Sequence, residues 1–460
     1  VTSTAAQRLA LFAIEWPADG IPAEVRERAK LHLLDALGCG LAAVGAHAGD
    51  HATTLALEQG GRPQASIIGA GELVPSALAA LANGTRCHAL DFDDTHEAGI
   101  CHASTVVGPA ALAAGEASGA SGADVLAAYV VGGEVALRIA VAAADGLYER
   151  GFHPTSVCGA FGAAAAASRL FGLDASATAN ALGVVGSFAA GLIEYLSDGS
   201  ATKPLHAGWA AHAGIQAARL AQAGATGPAT VIEGQFGLLA SHTRGAASGE
   251  IADGLGERWE LAELAIKPFP ACHFAHASTW AAAELAAEHS LAAADVAEVV
   301  VRIPTEGEPL VLTPLSAKVA PKTPYDAKFS LPFTVAHHLV RGRLDLDAFS
   351  AESIRDPEVL ALAGRVRGEP LAEPAPSRFA GGARLVTRDG VEHDRFLPHA
   401  PGSRRNPLDE EFVLSKFQAN AELSLAPSHA RATASALRAL DDVPSLDSAA
   451  ALLRSAAGRP

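Results

Sequence analysis

From residue 22 to about residue 260, apolar positions recur at helical spacing rather than in strand-like alternation. Val25, Ala29, Leu33 and Leu37 each fall four residues apart, behind Pro22, which suits a first helical position. The same pattern predicts helices over 75–83, 104–118, 123–144, 155–171, 175–190 and 209–223. Gly84, Gly172 and Gly224 read as helix ends. The first segment, "VTSTAAQRLALFAIEW", reads as an amphipathic helix capped by Thr2, Ser3 or Thr4. Strands and helices do not alternate, which argues against a doubly wound α/β fold.

The pattern changes near Lys267. "KPFPACHFAH" is a proline-punctuated loop, and a helix over 276–289 follows. "VAEVVVRIP" at 296–304 alternates β-branched residues as a strand does. Residues 326–340 read as helical despite Pro332, and 383–397 as two strands joined by Asp389-Gly390. Helical spacing resumes at about Asp409. The expected fold is mainly α: a large all-α helical domain from residues 1–265 plus 400–460, with a smaller α+β domain inserted at 266–399.

Composition narrows the partners. The chain of 460 residues is 49% hydrophobic, a share rich in alanine, and carries 45 glycines besides, which favours closely packed helices. A net charge of −16 argues against a nucleic-acid surface or an anionic membrane. A small anionic substrate then needs locally concentrated positive charge. Five scattered cysteines, without a CxxC pair, support neither a disulfide scaffold nor a zinc finger. The start lacks a basic segment and a cleavage pattern, and no apolar run reaches membrane-span length unbroken, so a cytoplasmic location is expected.

Four polar stretches interrupt the apolar background: "ALDFDDTHEAGICHAS", "GFHPTSVCGAFGAAAAAS", "SDGSATKPLHAGWAA" and "KPFPACHF". The first three run into alanine- and glycine-rich helices, whose N-terminal amides suit a carboxylate. Lysine is scarce, with seven in the chain, and Lys203 and Lys267 both precede proline, which places both in constrained loops. Each stretch also has a plain reading. Asp91–Asp94 fits an exposed loop with Asp93 or Asp94 as a cap, and His153 fits a helix cap. Asp93 and Asp94 alternatively resemble the magnesium-binding acids of helical prenyl-diphosphate enzymes. The other chemical reading gathers His102, His153, Lys203 and His273 around a di- or tricarboxylate. His32, His47, His51, His289, His337, His338 and His429 read as structural or surface groups, and Cys101 and Cys158 as buried fillers.

Taken together and in order, "HALDFDDTH", "HAS", "GFHPTS", "TKPLHAGWAA" and "KPFPACH" resemble the MmgE/PrpD family of 2-methylcitrate dehydratase, cis-aconitate decarboxylase and iminodisuccinate epimerase. The resemblance covers nearly the whole chain. It implies a helical domain plus an α+β lid domain, a homodimer, and a site in the cleft between the domains, without metal or organic cofactor. It puts the family's active-site positions on Asp91, Thr95, His102, His153, Lys203 and His273, and Ser156, His206 and Lys267 are expected to bind substrate. Asp91 is expected to orient an imidazole. The stretch from Thr95 to His102 is one residue longer than in the decarboxylase branch, Ala103 stands where proline is common, and extra residues surround "SDGS". The expected activity is that of a lyase, a 2-methylcitrate dehydratase-like hydro-lyase. Cis-aconitate decarboxylation and dicarboxylate epimerisation remain alternatives in the family, and a prenyl-diphosphate enzyme or a non-catalytic carboxylate binder outside it.

Overall fold

The computed structural model describes residues 3–245, 251–371 and 374–454. The protein is mainly α and divides into two compact units, Val1–Leu264 with Asp409–Pro460, and Ala265–Leu408.

The first unit is helical. Its elements are α1 (Ala5–Glu15), α2 (Ala23–Gly45), α3 (Asp50–Gln59), α4 (Ser76–His88), α5 (Ser104–Ser118), α6 (Gly122–Glu149), α7 (Pro154–Leu170), α8 (Ala175–Val185), α9 (Tyr195–Asp198) and α10 (Thr202–Gln222). Shorter turns and the helices Glu410–Ala421, Pro427–Arg438 and Asp447–Leu453 complete it. Thr4 caps α1 in a reciprocal box with Gln7. Thr2 lies outside the described residues. The 28-residue α6 is apolar enough to cross a bilayer, yet 89% of its most apolar window is buried within the protein.

Small residues let these helices meet backbone to backbone. A Cβ on Gly132 of α6 would come within 2.6 Å of the Gly162 carbonyl oxygen on α7, and one on Gly162 within 2.5 Å of the Gly132 oxygen. At the crossing of α4 and α10, a Cβ on Gly84 would lie 2.9 Å from the Gly208 Cα. Gly84 therefore sits inside α4 rather than ending it, because its bare Cα is what α10 packs on. Gly172 and Gly224, at φ +71° and +95°, do follow helix ends. The helix carrying Lys203 begins at Thr202, seven residues before its expected start. Lys203 is thus helical, not in a loop. Pro204 is compatible because the first turn of a helix needs no N–H from it.

The second unit is built on a four-stranded sheet in the order Val366–Pro370, Val296–Ile303, Gly381–Thr387, Glu392–Leu397. The first pair is parallel and the others antiparallel. Val366–Pro370 is a strand that the sequence pattern did not reveal. Helices His276–Glu288 and Leu331–Arg341 share a core with the sheet, in which Val299, Val301, Leu385, Leu285 and Phe333 are buried. Pro332 falls in the first turn of its helix, behind the Ser330 cap, so it does not break it. The unit extends to Leu408 because its end returns to its beginning: the Ile266 amide donates to the Gly402 carbonyl at 3.1 Å.

The close crossing of α4 and α10 yields a prediction. A Cβ at position 208 would sit 2.2 Å from both the Leu81 carbonyl oxygen and the Thr85 Oγ1. Gly208→Ala should lose about 3 kcal/mol of stability by urea unfolding, as overpacking does. Gly71→Ala, where a Cβ would meet nothing within 4 Å, should stay within about 0.5 kcal/mol of the parent. An unchanged midpoint for Gly208→Ala would contradict this account.

Candidate active site

The loop between α4 and α5 carries three acids that water does not reach. Asp91, Asp93 and Asp94 are 5%, 0% and 0% exposed. The exposed-loop reading of this stretch is therefore wrong. Buried carboxylates require partners, and each acid has its own. Asp91 Oδ1 meets the Lys203 Nζ of α10 at 2.9 Å. Asp93 Oδ2 meets the Nδ1 of His88 at 2.9 Å and of His102 at 3.0 Å. Asp94 Oδ2 meets His32 Nδ1 of α2 at 2.8 Å and accepts from the Ser104 hydroxyl, which also bonds Tyr129. Asp93 and Asp94 thus face imidazoles and a hydroxyl, not an open acidic shelf of the prenyl-diphosphate kind.

The backbone is bound as firmly as the side chains. The Lys416 ammonium donates to the Phe92 carbonyl at 2.8 Å, rests 3.8 Å from the centre of the Phe92 ring and pairs with Asp35 of α2 at 2.6 Å. Asp91 has φ +55°, a left-handed conformation that aspartate accepts more readily than most residues. After Thr95 the chain makes a short hairpin, with the His96 amide donating to the Cys101 carbonyl at 2.9 Å. His96 Nδ1 accepts from the Gly99 amide, and its Nε2 lies 3.3 Å from Glu260 Oε2. Ile100, at φ +47°, is a β-branched residue in a region that strongly disfavours it.

Around this loop the structure gathers seven of the nine expected site residues, all in the first unit. Thr95 Oγ1 is 3.3 Å from His102 Nδ1, and Thr155 Oγ1 accepts from the His102 amide at 3.1 Å. His153 stands at the head of α7, ahead of Pro154, without capping it; its Nδ1 is 3.1 Å from His206 Nδ1 of α10. Ser156 donates to the His206 carbonyl at 3.3 Å. Gly191, at φ +127°, packs so closely on Ser156 and His206 that a Cβ would come within 2.8 Å of the Ser156 Cβ. The carboxylate that holds His102 is Asp93, not Asp91, which pairs with Lys203; the expected orienting acid was placed two residues too early. Lys267 and His273 belong to the second unit, both buried, with His273 stacked on Phe379 at 4.2 Å.

Two members of the cluster went unnoticed in the sequence. His88, fully buried at the end of α4, lies 4.6 Å from the His102 ring and 5.9 Å from the His153 ring. It was hidden at the end of a helical run. The signal was its spacing of five residues from Asp93. Tyr195 of α9 meets the rings of His153 and His206 edge-on, each at 5.8 Å. It sits in an exposed stretch, and nothing in the sequence marks it.

Known proteins resemble this chain over most of its length. Residues 7–250 match the MmgE/PrpD N-terminal domain, and residues 269–442 match the MmgE/PrpD C-terminal domain. The chain belongs to the MmgE/PrpD family. It is 29% identical over 437 residues to a cis-aconitate decarboxylase of Mus musculus, covering 90% of this chain and 86% of that protein. It is 30% identical over 419 residues to one of Homo sapiens, covering 87% and 84%. It is 28% identical over 433 residues to one of Aspergillus terreus, covering 87% and 86%.

In this MmgE/PrpD protein, burial and neighbours set the protonation of the cluster. Burial opposes charge on Lys203, but Asp91 outweighs it and raises the ammonium above its usual value, so it stays charged. Burial favours a neutral Asp93, yet His88 and His102 hold it well below the usual carboxylate range. Burial, aided by the neighbouring His88 and Lys203, lowers His206 to about 4 and His153 well below its ordinary value. Both are neutral at pH 7, so a single hydrogen lies between their Nδ1 atoms. The His102 Nδ1 also reaches the Asp94 carbonyl at 2.7 Å, which requires Nδ1 to carry hydrogen and makes Nε2 the exchangeable position. A metal ion can bridge the spacing of His88, Asp93 and His102, whose ligand atoms lie within 4.8 Å of one another. Hydrogen bonding already accounts for their arrangement.

A lowered histidine pKa weakens the fold in acid, since the unfolded chain takes up protons first. The contribution is complete above about pH 6.5 and is lost as pH falls toward about 4. The urea midpoint should fall on acidification from pH 7 to 4.5, and less steeply in His206→Gln. Parallel curves for the two proteins would contradict the lowered value.

Proposed function

We propose that this chain is a lyase acting on a small di- or tricarboxylate, and that it decarboxylates a cis-aconitate-like substrate. What carries the reading is likeness over most of the chain to relatives named for that activity, together with a buried cluster of imidazoles and one ammonium. The relatives favour decarboxylation over the 2-methylcitrate dehydratase-like hydro-lyase expected from the sequence.

The chemistry is within reach of these groups. The bond to one carboxylate breaks and carbon dioxide leaves without the bonding pair. That pair spreads through the adjacent alkene to the carbon beside a second carboxylate, and one proton is delivered there. Charge developing in a dry site is stabilised most by fixed donors. The Lys203 ammonium, held by Asp91, takes a substrate carboxylate and steadies that charge. His102, fixed through Nδ1, delivers the proton from Nε2, and neutral His153 is the second proton carrier. Thr95, Ser156 and His206 position substrate. On their motifs we assign His273 to the reaction and Lys267 to carboxylate binding. No metal or organic cofactor enters this scheme.

Incubation with a panel of di- and tricarboxylates, followed by NMR, tests it. Cis-aconitate should lose carbon dioxide and gain one solvent proton, with turnover intact after exhaustive chelation. His102→Ala and His153→Ala should lose kcat by about 100-fold or more. Lys203→Ala should raise KM and also lower kcat, and His289→Ala should change little. Water loss from 2-methylcitrate with inert cis-aconitate would move the assignment to the hydro-lyase branch. Binding without any turnover would make the protein a carboxylate binder.

A further inference from the structure

His88 is a buried imidazole of the cluster that the scheme above leaves unused. It is fully buried, and its Nδ1 shares one oxygen of Asp93 with the Nδ1 of His102. Asp93 accepts, so Nδ1 donates, and the tautomer of His88 is fixed with Nε2 as the remaining functional atom. That Nε2 is buried and meets no hydrogen-bond partner among the described residues. Leaving such an atom unpaired in the interior opposes folding. A residue serving only to anchor Asp93 needs no second nitrogen. The ring lies among those of the proton-transfer candidates, 4.6 Å from His102 and 5.9 Å from His153, nearly parallel to the latter at 21°.

We propose that His88 is a further substrate-contacting residue, held through Nδ1 by Asp93 and hydrogen-bonding the substrate through Nε2. One carboxylate thereby sets two imidazoles for one substrate. Asp93 is their positioning residue. The proposal rests on the polycarboxylate reading above, and the substrate atom met by Nε2 is a carboxylate oxygen or the hydrogen of a protonated intermediate, according to the charge on His88.

Two variants separate the nitrogens. Asparagine places its amide nitrogen near Nδ1 and keeps the bond to Asp93 while removing Nε2. Glutamine reaches the Nε2 position but gives up the Nδ1 contact. With wild-type turnover of a panel substrate established first, His88→Asn should keep the wild-type melting temperature and lose kcat/KM by about 100-fold, comparable to the effect of removing a positioned proton-transfer group. His88→Gln should recover part of that loss. In the wild-type protein with 15N-labelled histidines, titration with tricarballylate, a stable tricarboxylate, should shift the His88 Nε2 resonance. His88→Asn with wild-type kcat and KM, or a His88 Nε2 signal that does not move when tricarballylate binds, would reduce His88 to an anchor for Asp93. Should the wild-type protein neither turn over nor bind any member of the panel, it is the polycarboxylate reading that falls.

Discussion

Three buried carboxylates within four residues are the constraint around which the first unit is arranged. Moving each into a low-dielectric interior costs several kcal/mol that only a well-placed partner offsets. The partners come from separate parts of the chain: Lys203 from α10, His88 from α4, His102 from beyond the hairpin, His32 from α2. Satisfying the loop therefore fixes four segments relative to one another. Such pairs add little net stability over an apolar core of the same shape, but breaking one leaves an uncompensated charge. Their value here is registration. The loop accepts one arrangement of its neighbours, and that arrangement assembles the candidate site.

Composition makes the registration reachable. Lys203 meets Asp91 only because α10 lies close against α4, and the two glycines at their crossing, Gly84 and Gly208, leave no Cβ to hold the backbones apart. Gly191 does the same for the approach to Ser156 and His206. An alanine- and glycine-rich chain surrenders apolar area per residue, and in return brings polar side chains of different helices within hydrogen-bond reach. The fold and the site thus draw on the same choice of small residues.

Much of this was legible in the sequence, and the misses have physical causes. α5, the strand Val296–Ile303 and the helix restarting after Asp409 follow from periodicity and caps alone. The start of α10 was misplaced because a Lys-Pro pair reads locally as a loop, whereas a proline in the first turn costs a helix nothing. Gly84 reads as a stop in any local window because a close helix crossing is a tertiary fact that no such window contains. The same limit explains the exchange of roles between Asp91 and Asp93. Spacing identifies a cluster of acids, but which acid faces which imidazole depends on the turn at Asp91, where the backbone enters the left-handed region. His88 was lost for the same reason: its partner is five residues away in sequence but reached only through that turn.

The protonation pattern of the cluster follows from the partner and the burial of each group. Lys203 is held charged by an acid at 2.9 Å, and His153 and His206 are held neutral by burial. A fixed cation and a neutral imidazole pair are what carbanion chemistry beside a carboxylate requires, whether the leaving group is water, carbon dioxide or a proton. None of these groups discriminates among the three. His102 is joined to Thr95 by the hairpin that contains Ile100. A β-branched residue held at φ +47° is sustained only by its surroundings, here the clamp of His96 between the Gly99 amide and Glu260. The length and strain of that hairpin fix where His102 stands against Asp93, Thr95 and Thr155.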